Sequence, residues 1–90
     1  MKDLARWTVV FQTLGNVNRL RITRMLYPND KMNVGYIAAK LKISFTSTSN
    51  HLAILRRAGV LKSRGTAGQV VYSLNSKMPE DFFKAIKLLR

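Results

Sequence analysis

Residues 44 to 50 form a run of small hydroxylated and amide side chains, interrupted only by Phe45, at the start of a predicted helix. Ser, Thr and Asn are poor helix formers, so a run of them beyond the cap position needs a reason other than helix stability. Short donors and acceptors of this kind reach base edges and phosphates when a helix lies in a DNA groove. The segment therefore favours a DNA-reading helix over a Ser/Thr-rich turn beside a capped helix.

The charge distribution points to the same kind of partner. The chain has sixteen Lys and Arg residues but only four Asp and Glu, which gives a net charge of +12 and a pI near 11.1. No acidic residue occurs between Asp30 and Glu80. An excess of this size favours a polyanion, most commonly nucleic acid. A solvated basic surface that only maintains solubility would not require an acid-free half of the chain.

Length and composition exclude several classes of protein. Ninety residues with 47% hydrophobic side chains predict one folded domain with a modest core, spanning residues 1–90. The absence of cysteine excludes disulfides, thiolate metal sites and cysteine nucleophiles. No apolar stretch suits a membrane span or a signal peptide, so we expect a soluble cytoplasmic protein. His51 and four scattered carboxylates give no nucleophile–base spacing, so we do not expect an enzyme.

Hydrophobic periodicity predicts four helices in the first two thirds of the chain. Asp3 caps the first helix, at about 3–14, and Gly15 ends it; Asn16, Asn33 and Ser44 cap the next three. The fourth helix, at about 45–58, stops at Gly59 and turns Thr48 towards the core. In the second helix we expect a buried side formed by Val17, Leu20, Ile22, Met25 and Leu26. The third and fourth helices are joined by three or four residues, which is the pattern of a helix-turn-helix.

The periodicity changes after Gly59. Residues 60–64 and 69–74 are β-prone, and a turn at 65–68 contains two glycines that tolerate positive φ. Pro79 fits the first position of a last helix, at about 79–90, with Glu80 and Asp81 near the positive end of its dipole. The predicted fold is mainly α with a small β-hairpin (α+β), in the order helix, helix, helix-turn-helix, hairpin, helix.

Three segments resemble the ArsR-type winged helix-turn-helix repressors. Residues 14–22, LGNVNRLRI, resemble the family's LGNPTRLRIL; residues 44–61 resemble its recognition helix, S-x-S-x-x-S-x-H-L-x-x-L-x-x-A-G-L-V. Residues 63–74 resemble its wing, S-R-x-x-G-R-x-x-Y-Y-x-L. The match covers residues 11 to 74 in the family's order and spacing, and it implies a winged helix-turn-helix fold and DNA binding.

The chain departs from the family pattern where members sense metals. Val34 to Ala38 occupy the region that carries a cysteine pair in soft-metal sensors, and the last helix has Glu80 and Asp81 but no histidine. One His and no Cys cannot assemble a thiolate or multi-histidine cage, so we expect no metal and no cofactor. Phe45 also replaces the Gln of many members, where it could contact a thymine methyl or pack on the domain.

The predicted DNA-binding surface combines the fourth helix with the hairpin. It comprises Phe45, Thr46, Ser47, Ser49, Asn50, His51, Arg57, Lys42, Lys62, Arg64 and Gln69. Asn50 is the best candidate for a base contact, since its amide can pair with adenine; the less favoured alternative is a surface amide bound to water. Arg64 could probe a narrow minor groove or simply protect a strand edge by charge. The resemblance implies that His51 lies beside the DNA backbone or packs between helices.

The terminal helices carry more apolar side chains than a small core can hold. The resemblance implies that they pair across a two-fold axis and form a homodimer. The expected interface residues are Leu4, Trp7, Phe11, Phe82, Phe83, Ile86 and Leu89. The alternative is a monomer whose two terminal helices fold onto its own core.

The sequence therefore predicts a homodimeric, sequence-specific regulator of transcription that binds double-stranded DNA. The fourth helix would occupy the major groove, and a wing at about 60–74 would contact the adjacent backbone or minor groove. Two alternatives remain: a low-specificity architectural DNA-binding protein, and a winged-helix module that binds a protein partner through its aromatic terminal helices.

Overall fold

The computed structural model describes residues 3–89, and Arg90, the expected end of the last helix, lies outside them. Five helices and a three-stranded sheet follow one another along this range. Their bounds are α1 Leu4–Leu14, α2 Val17–Leu26, β1 Met32–Asn33, α3 Val34–Leu41, α4 Phe45–Arg57, β2 Leu61–Thr66, β3 Gln69–Leu74 and α5 Glu80–Lys87.

Four of the five helices begin at a side chain that accepts a hydrogen bond from the first turn. Asp3 accepts from the amide of residue 6 at 2.8 Å, Asn16 from residue 18 at 2.9 Å, Asn33 from residue 36 at 2.8 Å and Ser44 from residue 47 at 3.0 Å. These bonds satisfy amide groups that have no partner inside the helix, and they confirm the four predicted caps. Pro79 is the residue before the first helical position of α5, and not the first position itself.

The sheet has the order β1-β3-β2, and both pairings are antiparallel. Thr66 pairs with Gln69, so the hairpin turn contains only Ala67 and Gly68, which adopt φ of 49° and 82°. A two-residue turn of this kind requires positive φ at both positions. Gly65 lies inside β2 opposite Val70, so the prediction that it shapes the turn is wrong. The short strand β1 was not predicted from the sequence.

The core lies between the helices and the inner face of the sheet. Ile22 and Leu26 of α2, Leu52 and Leu55 of α4, and Phe82 of α5 are fully buried there. Val17, predicted to be buried, is 67% exposed. Nine residues at about 100° each place it on the opposite side of α2 from Leu26. Thr23 takes the buried position instead and donates its hydroxyl to the Leu20 carbonyl at 2.9 Å.

Gly59 ends α4 and turns the chain into β2. Its amide donates to the Arg56 carbonyl and the Val60 amide donates to the Leu55 carbonyl, both at 3.0 Å, which is the Schellman pattern. This pattern requires a residue with positive φ, and Gly59 has φ of 82°. Gly59 therefore sets the angle between the exposed helix α4 and the hairpin, which is the geometry that a winged helix-turn-helix needs.

Replacement of Gly59 with Ala should lower the free energy of unfolding by about 1–2 kcal/mol, because a residue with a Cβ atom is strained in the left-handed backbone conformation. An added Cβ would also lie 3.3 Å from Pro79 Cδ. Gly65→Ala is the matched control, since no atom lies within 4 Å of the added Cβ there. Urea denaturation of both variants provides the measurement. Equal stabilities would contradict this account of the turn.

Candidate nucleic-acid interface

The hydroxyl-rich run is divided between the core and the outer face of α4. Thr48 is fully buried, and its hydroxyl donates to the Ser44 carbonyl at 2.8 Å. This confirms the prediction that Thr48 packs in the core. Leu52 and Leu55 are buried on the same side. The segment therefore forms a helix because one side is anchored by apolar burial, and the other side is left for polar groups.

Three polar residues line the outer side of α4. Thr46, Asn50 and Arg57 are exposed, and at about 100° per residue they lie within about 40° of one another. Ser47 and Ser49 are half-buried at the edges of this stripe. We call Thr46, Asn50 and Arg57 the outer stripe. It presents a hydroxyl, an amide and a guanidinium in a row, which suits hydrogen bonding to a duplex.

Phe45 and Lys42 lie at the start of this helix. Phe45 is 61% exposed and borders a cleft of about 440 Å³ between the start of α3 and the tip of the hairpin. Lys42 is exposed and ends α3 with φ of 59°, while its amide donates to the Ala38 carbonyl. Both side chains therefore point away from the core on the side of the molecule where α4 begins.

His51 joins α4 to the helices behind it. Its Nδ1 lies 3.2 Å from Nη1 of Arg19, and the same guanidinium donates to the carbonyls of Thr13 at 2.6 Å and Gln12 at 3.1 Å. Because a guanidinium only donates, Nδ1 must accept, and the proton of a neutral ring lies on Nε2. Burial, and then the positive charge of Arg19, lower the pKa of His51. The ring is therefore held neutral, with an N–H donor at its other edge.

The hairpin forms a second basic surface. Lys62, Arg64 and Thr66 alternate along β2 and share the outer face of the sheet. Lys31, which was not among the predicted site residues, lines the same cleft of about 410 Å³ as Lys62 and Arg64. None of these three cations is paired with a carboxylate within residues 3–89. The strand β1 brings Lys31 here, so only the sheet pairing could have revealed it.

Gln69, the first residue of β3, is exposed at the hairpin tip. Its Oε1 accepts a hydrogen bond of 2.7 Å from Nδ2 of Asn33, the cap of α3. The tip of the hairpin is thereby tied to the helix-turn-helix by a side-chain contact, which the sequence did not indicate.

The predicted dimer residues divide into two groups. Leu4 and Phe11 are 82% and 66% exposed, and the Trp7 and Phe11 rings stack with centroids 5.8 Å apart. On α5, Phe82 and Ile86 are fully buried in the protomer's own core, so their prediction as interface residues is wrong. Phe83 is 43% exposed and Leu89 half-buried, whereas Leu88, which was not predicted, is 83% exposed.

Arg6 and Asp81 hold α5 against α1. The guanidinium binds the carboxylate through two bonds, Nε to Oδ2 at 2.8 Å and Nη2 to Oδ1 at 3.1 Å. Arg6 also lies over the ring of Phe82, 5.3 Å from its centroid. The carboxylate raises the pKa of Arg6. Asp81 is thus mainly a buried partner for Arg6, which explains why an acidic residue occurs on the inner side of α5.

Comparison with known proteins identifies the family. The sequence model described as "Bacterial regulatory protein, arsR family" matches residues 16–63, which includes α2, α3, α4 and the start of β2. The chain belongs to this family. Its members are DNA-binding regulators of transcription, so the predicted family and function class are confirmed, and the chain is not an enzyme.

Individual relatives support the assignment. The transcriptional activator HlyU of Vibrio cholerae is 37% identical over 75 residues, which are 83% of this chain and 68% of HlyU. The transcriptional repressor SdpR of Bacillus subtilis is 35% identical over 72 residues, or 80% of this chain and 79% of SdpR. Relatives thus include both an activator and a repressor.

Solved structures confirm the fold. The structure of HlyU from Vibrio cholerae superposes with a TM-score of 0.80 at 34% identity and covers 94% of this chain and 85% of HlyU. A homodimeric winged helix-turn-helix domain from Mycobacterium bovis, 24% identical, shares the fold with a TM-score of 0.76 and covers 96% and 76% of the two chains. Within residues 3–89, no helix is both long and apolar enough to cross a membrane.

Acidification should weaken the fold through His51, the only histidine of the chain. A base whose pKa is lowered by folding stabilises the protein fully above its unfolded pKa of about 6.5, and this contribution is lost as the pH falls through the lowered pKa. The variant H51Q keeps a side-chain acceptor for Arg19 but does not titrate. We therefore expect the wild type to lose unfolding free energy relative to H51Q between about pH 7 and pH 5. A difference in unfolding free energy between the two proteins that stays constant across this pH range, measured by urea denaturation, would contradict this prediction.

Proposed function

We propose that this chain acts as a homodimer that binds a two-fold symmetric, double-stranded DNA site with sequence preference. In each protomer α4 lies in the major groove, and the β2–β3 hairpin contacts the neighbouring backbone or minor groove. The observation that carries the proposal is the outer stripe of Thr46, Asn50 and Arg57, which is exposed while Thr48 and Leu52 anchor the opposite side of the helix. As a regulator of transcription it would act in the cytoplasm.

The chemistry of the stripe supports direct reading of bases. The Asn50 amide can donate and accept at the same time, which matches the N6 and N7 atoms of adenine in the major groove. The hydroxyls of Thr46, Ser47 and Ser49 suit phosphates, and phosphate contacts fix the register of the helix on the duplex. His51 can offer its Nε2–H to a phosphate without acquiring a charge.

The basic residues around α4 support attraction to the backbone. Lys42 precedes α4, Lys62 and Arg64 lie on the hairpin that follows it, and we add Lys31, which lines the same cleft as Lys62 and Arg64. Each neutralised phosphate releases counterions, so the affinity should fall steeply with salt. Phe45 and Gln69 border the cleft of about 440 Å³ at the hairpin tip, where one DNA strand would pass between the two grooves.

The exposed apolar side of α1 supports a dimer. Leu4, Trp7 and Phe11 recur at helical spacing, and Leu4 and Phe11 have no place in the protomer's core. A surface of this kind on a small domain marks an interaction site. Phe83 of α5, and Leu88 and Leu89 directly after it, would extend this surface, since the ion pair between Arg6 and Asp81 keeps the two helices together. Pairing of two copies would place the two α4 helices about one helical turn of DNA apart.

Asn50→Ala and Arg64→Ala should weaken DNA binding in different ways. N50A should cost about 1–3 kcal/mol on the preferred site and little on other sequences, whereas R64A should weaken all sequences and reduce the salt slope by about one. The preferred site is first located by footprinting on the gene's own upstream DNA. Fluorescence anisotropy at several salt concentrations then compares that site with a shuffled duplex.

Lys77→Ala, an exposed lysine between β3 and α5, is the matched control for the loss of one charge. Wild-type binding that is equally tight on all duplexes, with a broad footprint, would indicate an architectural protein instead. Weak DNA binding together with a stoichiometric protein complex would indicate an interaction module.

Phe11→Ser should shift the monomer–dimer equilibrium towards monomer. A ring buried once on each side of a two-fold interface contributes twice, so we expect at least a tenfold weaker dimer, or about 1.4 kcal/mol or more. Val17→Ser is the control, because Val17 is 67% exposed on α2 and Phe11 66% exposed on α1. Sedimentation equilibrium measures both. A monomeric wild type, or an F11S dimer of unchanged affinity, would reject this interface.

A further inference from the structure

Asn33 makes two side-chain hydrogen bonds that together determine its orientation. Its Oδ1 accepts from the Tyr36 amide at 2.8 Å and so caps α3. Its Nδ2 donates to Oε1 of Gln69 at 2.7 Å. A flipped Asn33 amide would turn an N–H group towards the Tyr36 N–H, and two donors cannot bond. The helix cap therefore fixes which atom of Asn33 faces the hairpin.

The orientation of Gln69 follows from that of Asn33. Because Nδ2 of Asn33 only donates, Gln69 must turn its Oε1 towards it, and Nε2 is left on the outer side. This Nε2 has no hydrogen-bond partner within residues 3–89. Gln69 is exposed and borders the cleft shared by Phe45 and the hairpin tip. The amide group that the hairpin tip leaves without a protein partner is therefore a donor, and not an acceptor.

We propose that Asn33 is a positioning residue that locks Gln69 as a hydrogen-bond donor, so that the hairpin tip selects acceptor atoms on DNA. The inference rests on the proposed function and names a specificity determinant for it. The acceptors available are phosphate oxygens and, in the minor groove, the N3 atoms of purines and the O2 atoms of pyrimidines. The one minor-groove donor is the amino group of guanine, which a locked donor cannot bind. A donor at this position therefore tolerates A·T pairs and disfavours G·C pairs.

Two substitutions at Asn33 keep the helix cap but change the contact with Gln69 in different ways. Asp and Ser are both good N-caps, so α3 should form in N33D and in N33S. In N33D the second carboxylate oxygen accepts from Gln69 Nε2, which turns the Gln69 amide around and presents Oε1 to DNA. In N33S the contact with Gln69 is lost and the amide is free to turn either way. We expect the DNA affinities to rank wild type, then N33S, then N33D, with equal melting temperatures for the three proteins.

Added negative charge is controlled by Asn29→Asp, an exposed position in the loop before β1. Relative to N29D, N33D should bind the preferred site about tenfold more weakly, as expected for one hydrogen bond lost and an acceptor turned towards an acceptor. The variant Q69L should lose about three- to tenfold. In a Q69L background, N33D should have only the effect of N29D, since a residue that acts through another has no separate contribution.

Anisotropy titrations on duplexes that differ in one base pair beneath the hairpin distinguish the two acceptor sources. A base-edge contact predicts that N33D changes the preference from A·T to G·C. A phosphate contact predicts the same loss on every duplex. Both outcomes support the proposal that Asn33 fixes the orientation of Gln69. The proposal would be overturned if N33D bound DNA as tightly as N29D does. It would also be overturned if N33D weakened binding as much in the Q69L background as in the wild type. Failure of the proposed function would be evident earlier, as wild-type protein that does not prefer its footprinted site.

Discussion

The guanidinium of Arg19 is the contact on which the arrangement of the helices most depends. It donates to the last-turn carbonyls of α1, at Gln12 and Thr13, and to Nδ1 of His51 on α4. Arg21, on the same helix, donates to the carbonyls of Lys40 and Leu41 at the end of α3. Helix α2 therefore holds the carboxyl ends of two helices and one side of a third. Carbonyls at a helix end lack intrahelical partners and carry partial negative charge, so a cation satisfies both needs at once.

This use of carbonyls fits a chain with sixteen basic and four acidic residues. The ion pairs within residues 3–89 join Asp81 to Arg6 and Glu80 to Lys84, and both carboxylates belong to α5. The internal cations are thus neutralised by helix dipoles or by the last helix, and no carboxylate is needed near α4. The surface around α4 can therefore stay positive. Acidic residues placed there would reduce charge repulsion within the protein, but they would also repel DNA.

Helix α4 combines a stable buried side with an outer side of poor helix formers. Thr48, Leu52 and Leu55 contribute burial that offsets the low helix propensity of the hydroxylated residues around them. The Ser44 cap and the Gly59 turn then define where the helix starts and stops. Residues on the outer side of such a helix can vary at little cost to folding, because the groups that stabilise it lie on the other side. The Asn33 bond to Gln69 extends the same rigid framework to the hairpin.

The local features of this protein were determined by its sequence alone. Caps such as Asn16 and Ser44, the helix end at Gly59 and the outward position of Asn50 follow from interactions between residues at most five positions apart, or from helical periodicity. The family motifs indicated the winged arrangement. What only the tertiary structure decided depends on residues far apart in the chain: β1 pairing with β3, Lys31 beside Arg64, and Arg19 beneath His51. Phe82 looked like an interface residue because an apolar side of a helix does not reveal whether its own core or a second copy covers it. The ion pair of Asp81 with Arg6, 75 residues away, and the packing of α5 against the core settled that Phe82 points inward.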